Sequence, residues 1–136
     1  MKLDLEIDSC NQWFATLGVL RGGIIMPVSF KIDSGCNALI LSHDTLRKFG
    51  CIINRTELSK LPAVSGAVVS GDMHMFRKLG SVSLFNDAKR SIHICDAQAL
   101  CHATHETHDL LGTAVFQHFN SIAFKLTGKK YMELIK

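Results

Sequence analysis

The feature that most constrains this sequence is an acid placed between two apolar runs. Asp33 ends the run Ile24 to Ile32, and a second run, Ala38 to Leu41, begins shortly after it. Ser34 and Gly35 lie between them, a composition typical of a tight turn that joins two buried strands. A lone carboxylate in such a place is costly, because burial disfavours its charge. The pattern therefore predicts either an acid with a chemical task or an acid that caps the turn through Asx-type hydrogen bonds.

A second motif lies near the other end of the chain. Leu110, Leu111 and Gly112 are followed by a short helical segment, up to Asn120, and then by another strand-like run. Between the two motifs, residues 63–71 combine small side chains with glycines inside a β-rich context, which predicts a mobile hairpin. The order and spacing of the three features are more informative than any one of them.

The chain resembles the retropepsin-like aspartic proteases in the order of these three features. An acid-hydroxyl-glycine motif comes first, a glycine-bearing hairpin follows, and an apolar-apolar-glycine motif comes last. The resemblance extends over roughly Ile24 to Leu134, which is most of the chain. It implies an all-β fold: a small closed β-barrel of the retropepsin type with one or two short helices, present as a homodimer. It also implies an aspartic endopeptidase that needs no cofactor and no metal ion.

The resemblance assigns roles to the residues of the first motif. Asp33 would be the acid or base, Ser34 would supply a hydroxyl that bonds across paired loops, and Gly35 would let its backbone amide approach the carboxylate. Peptide hydrolysis of this type needs two carboxylates that share a proton. A chain with one such motif can supply them only as a dimer with a two-fold axis, so we expect Asp33 from each of two copies.

The resemblance also indicates where a peptide substrate would bind. It places Ser65, Gly66 and Ala67 near the tip of a flap that closes over the substrate. It places Leu110, Leu111 and Gly112 behind the Asp33 turn, where they would also line part of the cleft. In the family the two chain ends interleave at the dimer interface, and the alternating pattern of Leu3 to Ile7 is compatible with such a strand.

Length and charge limit the other possibilities. The chain has 136 residues, 47% of them hydrophobic, so we expect one domain over residues 1–136 with a substantial core. The net charge is only +3 and no basic run is interleaved with aromatic residues, which does not indicate a nucleic-acid partner. No stretch reaches the roughly 18 apolar residues of a membrane-spanning helix, so we expect no membrane partner.

The cysteines and the amino terminus point to a cytoplasmic protein. There are five cysteines, an odd number without paired CxxC spacing, which fits reduced thiols better than a disulfide framework. Residues 1–7 carry a charge at every second position, so they cannot form the apolar centre of a signal peptide. Cys36, where the family usually has a small residue, is either a small buried side chain or a redox-sensitive thiol beside Asp33.

The local pattern predicts further elements. Strands are expected at residues 3–7, 13–20, 24–32, 38–41, 51–53, 73–85, 91–100, 121–126 and 131–135. Ser42 is expected to cap a short helix, His43 to Phe49, which Gly50 would end. Pro27 inside a strand predicts an edge or a bulge. Asp8, in an echo of the Asp33 motif that lacks the glycine, is interpreted as a surface-turn acid.

Two other functions stay open on the sequence alone. The retropepsin-like fold could serve as a dimerisation or peptide-binding module with negligible turnover, since an intact motif does not prove chemistry. The segment His102 to His108 holds three histidines near Cys101 and could belong to a metal-regulated protein, although it matches no known ligand spacing. Alternatively, these histidines border the substrate cleft and change its charge near their usual pKa.

Overall fold

The structure, a computed structural model, describes residues 1–50, 59–60, 75–86, 92–102 and 108–136. Within them the chain forms ten strands and two short helices. In chain order these are β1 (Lys2–Ile7), β2 (Trp13–Arg21), β3 (Ile24–Ile32), β4 (Leu39–Leu41), α1 (His43–Lys48), β5 (Ser59–Lys60), β6 (Met75–Asn86), β7 (His93–His102), β8 (Asp109–Leu111), α2 (Thr113–Phe116), β9 (Ser121–Lys125) and β10 (Tyr131–Ile135).

Six of the described strands close into a barrel. Their order is β2, β3, β8, β4, β7 and β6, and β6 pairs in turn with β2. Closure depends on β2, because residues 17–20 pair with β6 on one edge while β3 lies along the other. The predicted fold class, a small closed β-barrel with one or two short helices, is confirmed.

The strand that leads to Asp33 lies beside the strand that leads to Gly112. β3 and β8 are parallel, with Phe30 opposite Asp109 and Ile32 opposite Leu111. β8 in turn pairs antiparallel with β4, the strand that follows the Asp33 turn. The two motifs found in the sequence are therefore carried by neighbouring strands and emerge at the same end of the barrel.

A smaller sheet is formed by the chain ends. The first half of β1, Lys2 to Asp4, pairs with β10, and the second half, Leu5 to Ile7, pairs with β2. β9 lies on the other side of β10, giving the order β1, β10, β9. The two ends of the chain thus pair with each other within one copy.

One continuous core joins the barrel to this terminal sheet. Leu17 and Phe30 fill the barrel, and Met132 of β10 packs into the same cluster, all three at 0% exposure. Leu3 and Leu5 of β1 are buried while their sequence neighbours are exposed, which is the alternation expected of a strand with one wet face. This supports the prediction of a substantial core.

The residues at the turns and helix ends suit the backbone conformations found there. Gly22 and Gly23 have φ angles of 58° and 78° between β2 and β3, a left-handed conformation that glycine adopts without strain. The Ser42 side chain accepts a hydrogen bond from the Thr45 amide at the start of α1, and Gly50 follows the helix with a φ of 77°. Both predicted helix boundaries are thereby confirmed to within a residue.

Pro27 lies where the sheet can tolerate it. It pairs with Gly18 of β2, while the partner on the other edge of β3, β8, contacts only residues 30–32. Among the described residues, Pro27 therefore occupies a sheet edge, as predicted for a residue that cannot donate a ladder hydrogen bond.

Some predictions fall outside the described residues. These are the strand at residues 51–53 and the hairpin that contains Ser65, Gly66 and Ala67. The helices in the described part of the chain, α1 and α2, span six and four residues, so neither is long enough to cross a membrane.

Burial in the barrel core predicts that truncating Leu17 destabilises the fold more than truncating the exposed Leu126. Leu17→Ala should lower the free energy of unfolding by about 2–5 kcal/mol, because the site has 0% exposure and the truncation leaves a cavity. Leu126→Ala, the same change at a residue that is 42% exposed, should alter stability by no more than about 0.5 kcal/mol. Urea unfolding of both variants measures this, and equal losses would contradict the assignment of the core.

Candidate active site

Asp33 is held by the backbone on both sides of its turn. Its amide donates to the carbonyl of Leu111 at 3.1 Å, which extends the β3–β8 pairing by one residue. Its carbonyl accepts from the Cys36 amide, also at 3.1 Å, and so closes the turn. The position of Asp33 is therefore determined by β8 as well as by its own strand, and its side chain is only partly buried.

The Asp33 carboxylate interacts with the glycine two residues further along the chain. Its Oδ1 accepts a hydrogen bond from the Gly35 amide at 3.0 Å. A Cβ atom at Gly35 would lie 3.3 Å from this oxygen, tighter than ordinary van der Waals contact. The contact is the Asx-type turn that the sequence allows, and in it an amide of the chain lies against the carboxylate charge.

Gly112 packs against the backbone behind this turn. A Cβ atom there would lie 2.4 Å from each of the carbonyl oxygens of Cys36 and Ala38. The next amide, that of Thr113, donates to the Cys36 carbonyl at 2.8 Å. Only a glycine fits this approach, which brings the apolar-apolar-glycine motif directly behind the acid-hydroxyl-glycine motif.

The predicted site residues that the structure describes are thus brought together. Leu110 and Leu111 have 0% exposure, so in the single chain they support the turn from behind. Their predicted contact with a substrate stays a prediction. Ser65, Gly66 and Ala67 lie outside the described residues, and their role in a flap is likewise untested.

An apolar cavity of about 240 Å³ adjoins the turn. It is lined by Trp13, Ile32, Ser34, Phe116, Ile122 and Phe124. The rings of Trp13 and Phe124 meet edge to face, with centroids 5.0 Å apart. Ser34 is exposed and contributes a hydroxyl to a lining that is otherwise aromatic and aliphatic. This cavity links the Asp33 turn to β9, which the sequence did not indicate.

Asp109 is a site-supporting residue that the sequence analysis missed. Its carboxylate accepts from the Ser42 amide at 2.7 Å and from the Thr45 hydroxyl at 2.8 Å, so it joins β8 to the start of α1. Burial raises the pKa of this carboxyl, although the hydrogen bonds from Ser42 and Thr45 oppose the rise. The available signal was an acid directly before Leu110, together with hydroxyl residues at a helix start.

Cys36 is a buried thiol. It is 1% exposed, and its Sγ contacts the Ala38 carbonyl at 3.6 Å. Burial raises the pKa of this thiol, and the nearby Asp33 carboxylate raises it further. Since the thiolate is the reactive form, this environment favours the interpretation as a small buried side chain over that as a redox sensor.

The histidine segment is described only at its ends. His102 ends β7, and His108 precedes β8 with its ring centroid 6.0 Å from that of Phe14. Within the part of the chain that the structure describes, no three His, Cys, Asp or Glu side chains are grouped so that they could hold a metal ion. Residues 103–107 lie outside the described part, so the metal hypothesis is not tested there.

Asp8, in the partial repeat of the Asp33 motif, has different surroundings from Asp33. Its Oδ1 accepts hydrogen bonds from the amides of Cys10 and Gln12 at 2.9 and 2.8 Å, and the residue is exposed. Within the part of the chain that the structure describes, no strand pairs with residues 8–12, whereas β8 extends its pairing to Asp33. The prediction that Asp8 is a surface-turn acid is confirmed.

Comparison with solved structures supports the fold. The chain is similar to the crystal structure of a retropepsin-like aspartic protease from Rickettsia conorii, with a TM-score of 0.58 and 13% sequence identity. The similarity covers 97% of this chain and 87% of that chain. No family model matches the sequence, and no curated protein matches it. At this identity the likeness shows a retropepsin-like fold.

The close approach of Gly112 to the backbone of the Asp33 turn predicts that adding one methyl group at Gly112 strongly destabilises the fold. Gly112→Ala should lower the free energy of unfolding by at least about 1–3 kcal/mol, because the new Cβ would overlap two carbonyl oxygens. Gly18→Ala is a suitable control, since its Cβ would meet its neighbours at 3.4 Å or more. Thermal unfolding of the two variants measures the difference, and a Gly112→Ala variant as stable as the control would refute the close approach.

The burial of Asp109 predicts a pH dependence with a definite sign. Because its pKa is raised in the folded chain above its ordinary value of 3.8, folding favours the protonated form. The stability this contributes is complete below the unfolded pKa and is lost as the pH rises through the folded pKa.

Asp109→Asn keeps the shape and cannot ionise, so it should escape this loss. Relative to the variant, the wild type should become steadily less stable as the pH is raised from about 3 to neutral. Unfolding midpoints across this range measure the difference, with Asp44→Asn as a control for removing a charge at the surface. Parallel curves for wild type and Asp109→Asn would contradict the raised pKa.

Proposed function

We propose that the chain is an aspartic endopeptidase whose catalytic dyad consists of Asp33 from each of two copies. The observation that carries the proposal is the joining of the two sequence motifs, with the Asp33 amide bonded to Leu111 and Gly112 pressed against the Cys36 carbonyl. The retropepsin-like barrel around them supports it. Neither motif would need such a close backbone approach if Asp33 only capped a surface turn, as Asp8 does.

The chemistry follows from sharing one proton between two carboxylates. Two like charges a few ångströms apart cannot both form easily, so in the proposed dyad one carboxyl carries a proton while the other is ionised. The ionised Asp33 accepts a proton from a water molecule that attacks the peptide carbonyl, and the protonated one donates to the carbonyl oxygen. The Asp33 that accepted the proton from water then passes it to the leaving nitrogen as the peptide bond breaks, and the other Asp33 takes back a proton from the hydroxyl as the carbonyl re-forms.

The neighbours of Asp33 have supporting roles in this proposal. The Gly35 amide, 3.0 Å from Oδ1, stabilises the charged form and fixes the orientation of the carboxylate. The Ser34 hydroxyl bonds across the paired loops and holds the two carboxylates in one plane. The segment around Ser65, Gly66 and Ala67 closes over the bound peptide and excludes water, while residues 110–112 hold the turn from behind.

We further propose that the protein works in a reducing compartment, the cytoplasm. Three cysteines in the described part of the chain, Cys10, Cys36 and Cys95, are free thiols. Burial raises the pKa of Cys95 to about 11, so this thiol stays protonated and unreactive.

Cleavage of an unfolded protein mixture between about pH 4 and 7 tests the proposed activity. Asp33→Asn should lower the rate by at least about 100-fold, since it removes the acid-base pair. Asp8→Asn is a matched control, because it makes the same change at an exposed acid whose Oδ1 also accepts turn hydrogen bonds. An aspartic-protease transition-state inhibitor should abolish cleavage by the wild type.

Two results would overturn the proposal. Cleavage that survives Asp33→Asn would place the chemistry elsewhere. A folded, dimeric wild type that cleaves nothing across this pH range would favour a dimerisation or peptide-binding module built on the same fold.

A further inference from the structure

Lys31 lies on the same face of β3 as Asp33. Along β3, Val28 and Phe30 are buried in the core at 4% and 0% exposure, whereas Lys31 is half-buried. Successive side chains of a strand point to opposite faces, so Lys31 points away from the core. The Asp33 amide donates to the Leu111 carbonyl, which continues the strand pairing as far as Asp33. The same alternation therefore puts the side chains of Lys31 and Asp33 on one face.

The two side chains are one repeat of the strand apart. A strand rises about 3.3 Å per residue, so the Cα atoms of residues 31 and 33 are separated by roughly 6–7 Å. A lysine side chain is long and flexible, so its ammonium group can reach a ligand bound at Asp33. An extended peptide has the same rise per residue. Lys31 therefore lies within about two residues of a peptide bond held at Asp33.

Lys31 is a cation without a counter-ion among the described residues. The ion pairs in that part of the chain do not include it. Asp109, on the neighbouring strand β8, lies opposite Phe30 and so points to the core face, where it accepts hydrogen bonds from Ser42 and Thr45. Its charge is thus turned away from Lys31. An ammonium group placed in this way favours an anionic side chain on the ligand.

Two aromatic rings lie beside Lys31. Phe14 is opposite Lys31 in the β2–β3 ladder, and opposed side chains point to the same face. The ring centroid of Phe14 is 6.0 Å from that of His108, which directly precedes β8 on the other side of β3. The contact therefore crosses β3 on the Lys31 face. It gives an apolar surface for the methylene groups of an acidic side chain whose carboxylate meets Lys31.

We propose that Lys31 makes the site selective for peptides with a glutamate or aspartate beside the cleaved bond. This inference rests on the proposed function, since it takes Asp33 as the point at which the peptide is cut. The proposed dyad contains Asp33 from two copies related by a two-fold axis, so Lys31 recurs on both sides of the cleaved bond. The acidic residue then lies within about two residues of that bond, on either side.

The alternative is that the ammonium group extends into solvent and only the methylene stem of Lys31 contacts the substrate. Apolar side chains would then be preferred, and removing the charge would change little. Substitutions separate the two contributions. Lys31→Met keeps an unbranched stem without the charge, Lys31→Arg keeps the charge, and Lys31→Glu reverses it.

Two substrate peptides that differ at one residue test the preference. A digest of unfolded proteins by the full chain, analysed by mass spectrometry, gives the residues that flank the cleaved bonds. One cleaved sequence is then synthesised with glutamate or glutamine at the enriched position. The wild type and Lys31→Arg should cleave the glutamate peptide about five- to tenfold faster, as kcat/KM, than the glutamine peptide. Lys31→Met should cleave both equally, and Lys31→Glu should prefer the glutamine peptide.

Lys130→Glu is the matched control for the charge of the whole chain. It makes the same change of charge at an exposed lysine in the loop before β10. This variant should keep the wild-type preference, because it leaves the Asp33 face unchanged. Thermal unfolding shows that each variant is folded, and cleavage of the glutamine peptide shows that Lys31→Met keeps its active site.

The outcomes separate this inference from the proposed function. A wild type whose cleaved bonds show no enrichment of acidic neighbours would overturn the role of Lys31 while leaving cleavage at Asp33 intact. A folded Lys31→Met variant that keeps the full preference would do the same.

If the wild type cleaves nothing, retention of a tryptic peptide mixture on the immobilised full chain gives the answer. Stronger retention of acidic peptides by the wild type and Lys130→Glu than by Lys31→Met would support an anion-selective peptide site without an endopeptidase. Equal retention by all three, or none, would overturn the inference.

Discussion

The close approach of Gly112 to the backbone of Cys36 and Ala38 is the constraint on which the candidate site depends. It allows β8 to lie against the Asp33 turn, so that the Leu111 carbonyl can accept from the Asp33 amide and the Thr113 amide can donate to the Cys36 carbonyl. These contacts come from two strands that are far apart in the sequence. Asp33 is therefore positioned by the barrel as well as by its own loop, so that a small β-protein can hold this side chain in a defined place.

Asp109 shows that the same strand is fixed at its other end. The carboxylate joins the first residue of β8 to Ser42 and Thr45, which begin α1 directly after β4. β8 is only three residues long, so its own ladder hydrogen bonds are few. The polar contact at its start and the glycine contact at its end together compensate for this short length. A short strand held at both ends makes a stable support for the Asp33 turn.

Much of this arrangement was predictable from local patterns. The features that were predicted correctly each depend on residues that are neighbours in the sequence. They are the alternation of buried and exposed residues in β1, the glycine turn between β2 and β3, the Ser42 cap and the two motifs. The contacts that could not be predicted join distant parts of the chain: Asp109 is 67 residues from Ser42, and the cavity brings Trp13 to Phe124. The place of β9 at the end of the terminal sheet, where among the described residues it pairs with β10, was also hidden, because the pattern of a strand does not say how many neighbours it has.

The central claim is that two copies share one active site, and mixing experiments test it most directly. Wild type and Asp33→Asn are mixed in equal amounts at fixed total concentration, allowed to exchange subunits, and assayed for protein cleavage. If both Asp33 residues are needed, only dimers of two wild-type chains are active, and the mixture should retain about one quarter of the activity of pure wild type. Retention of about one half would mean that each chain acts independently, which would contradict a shared dyad.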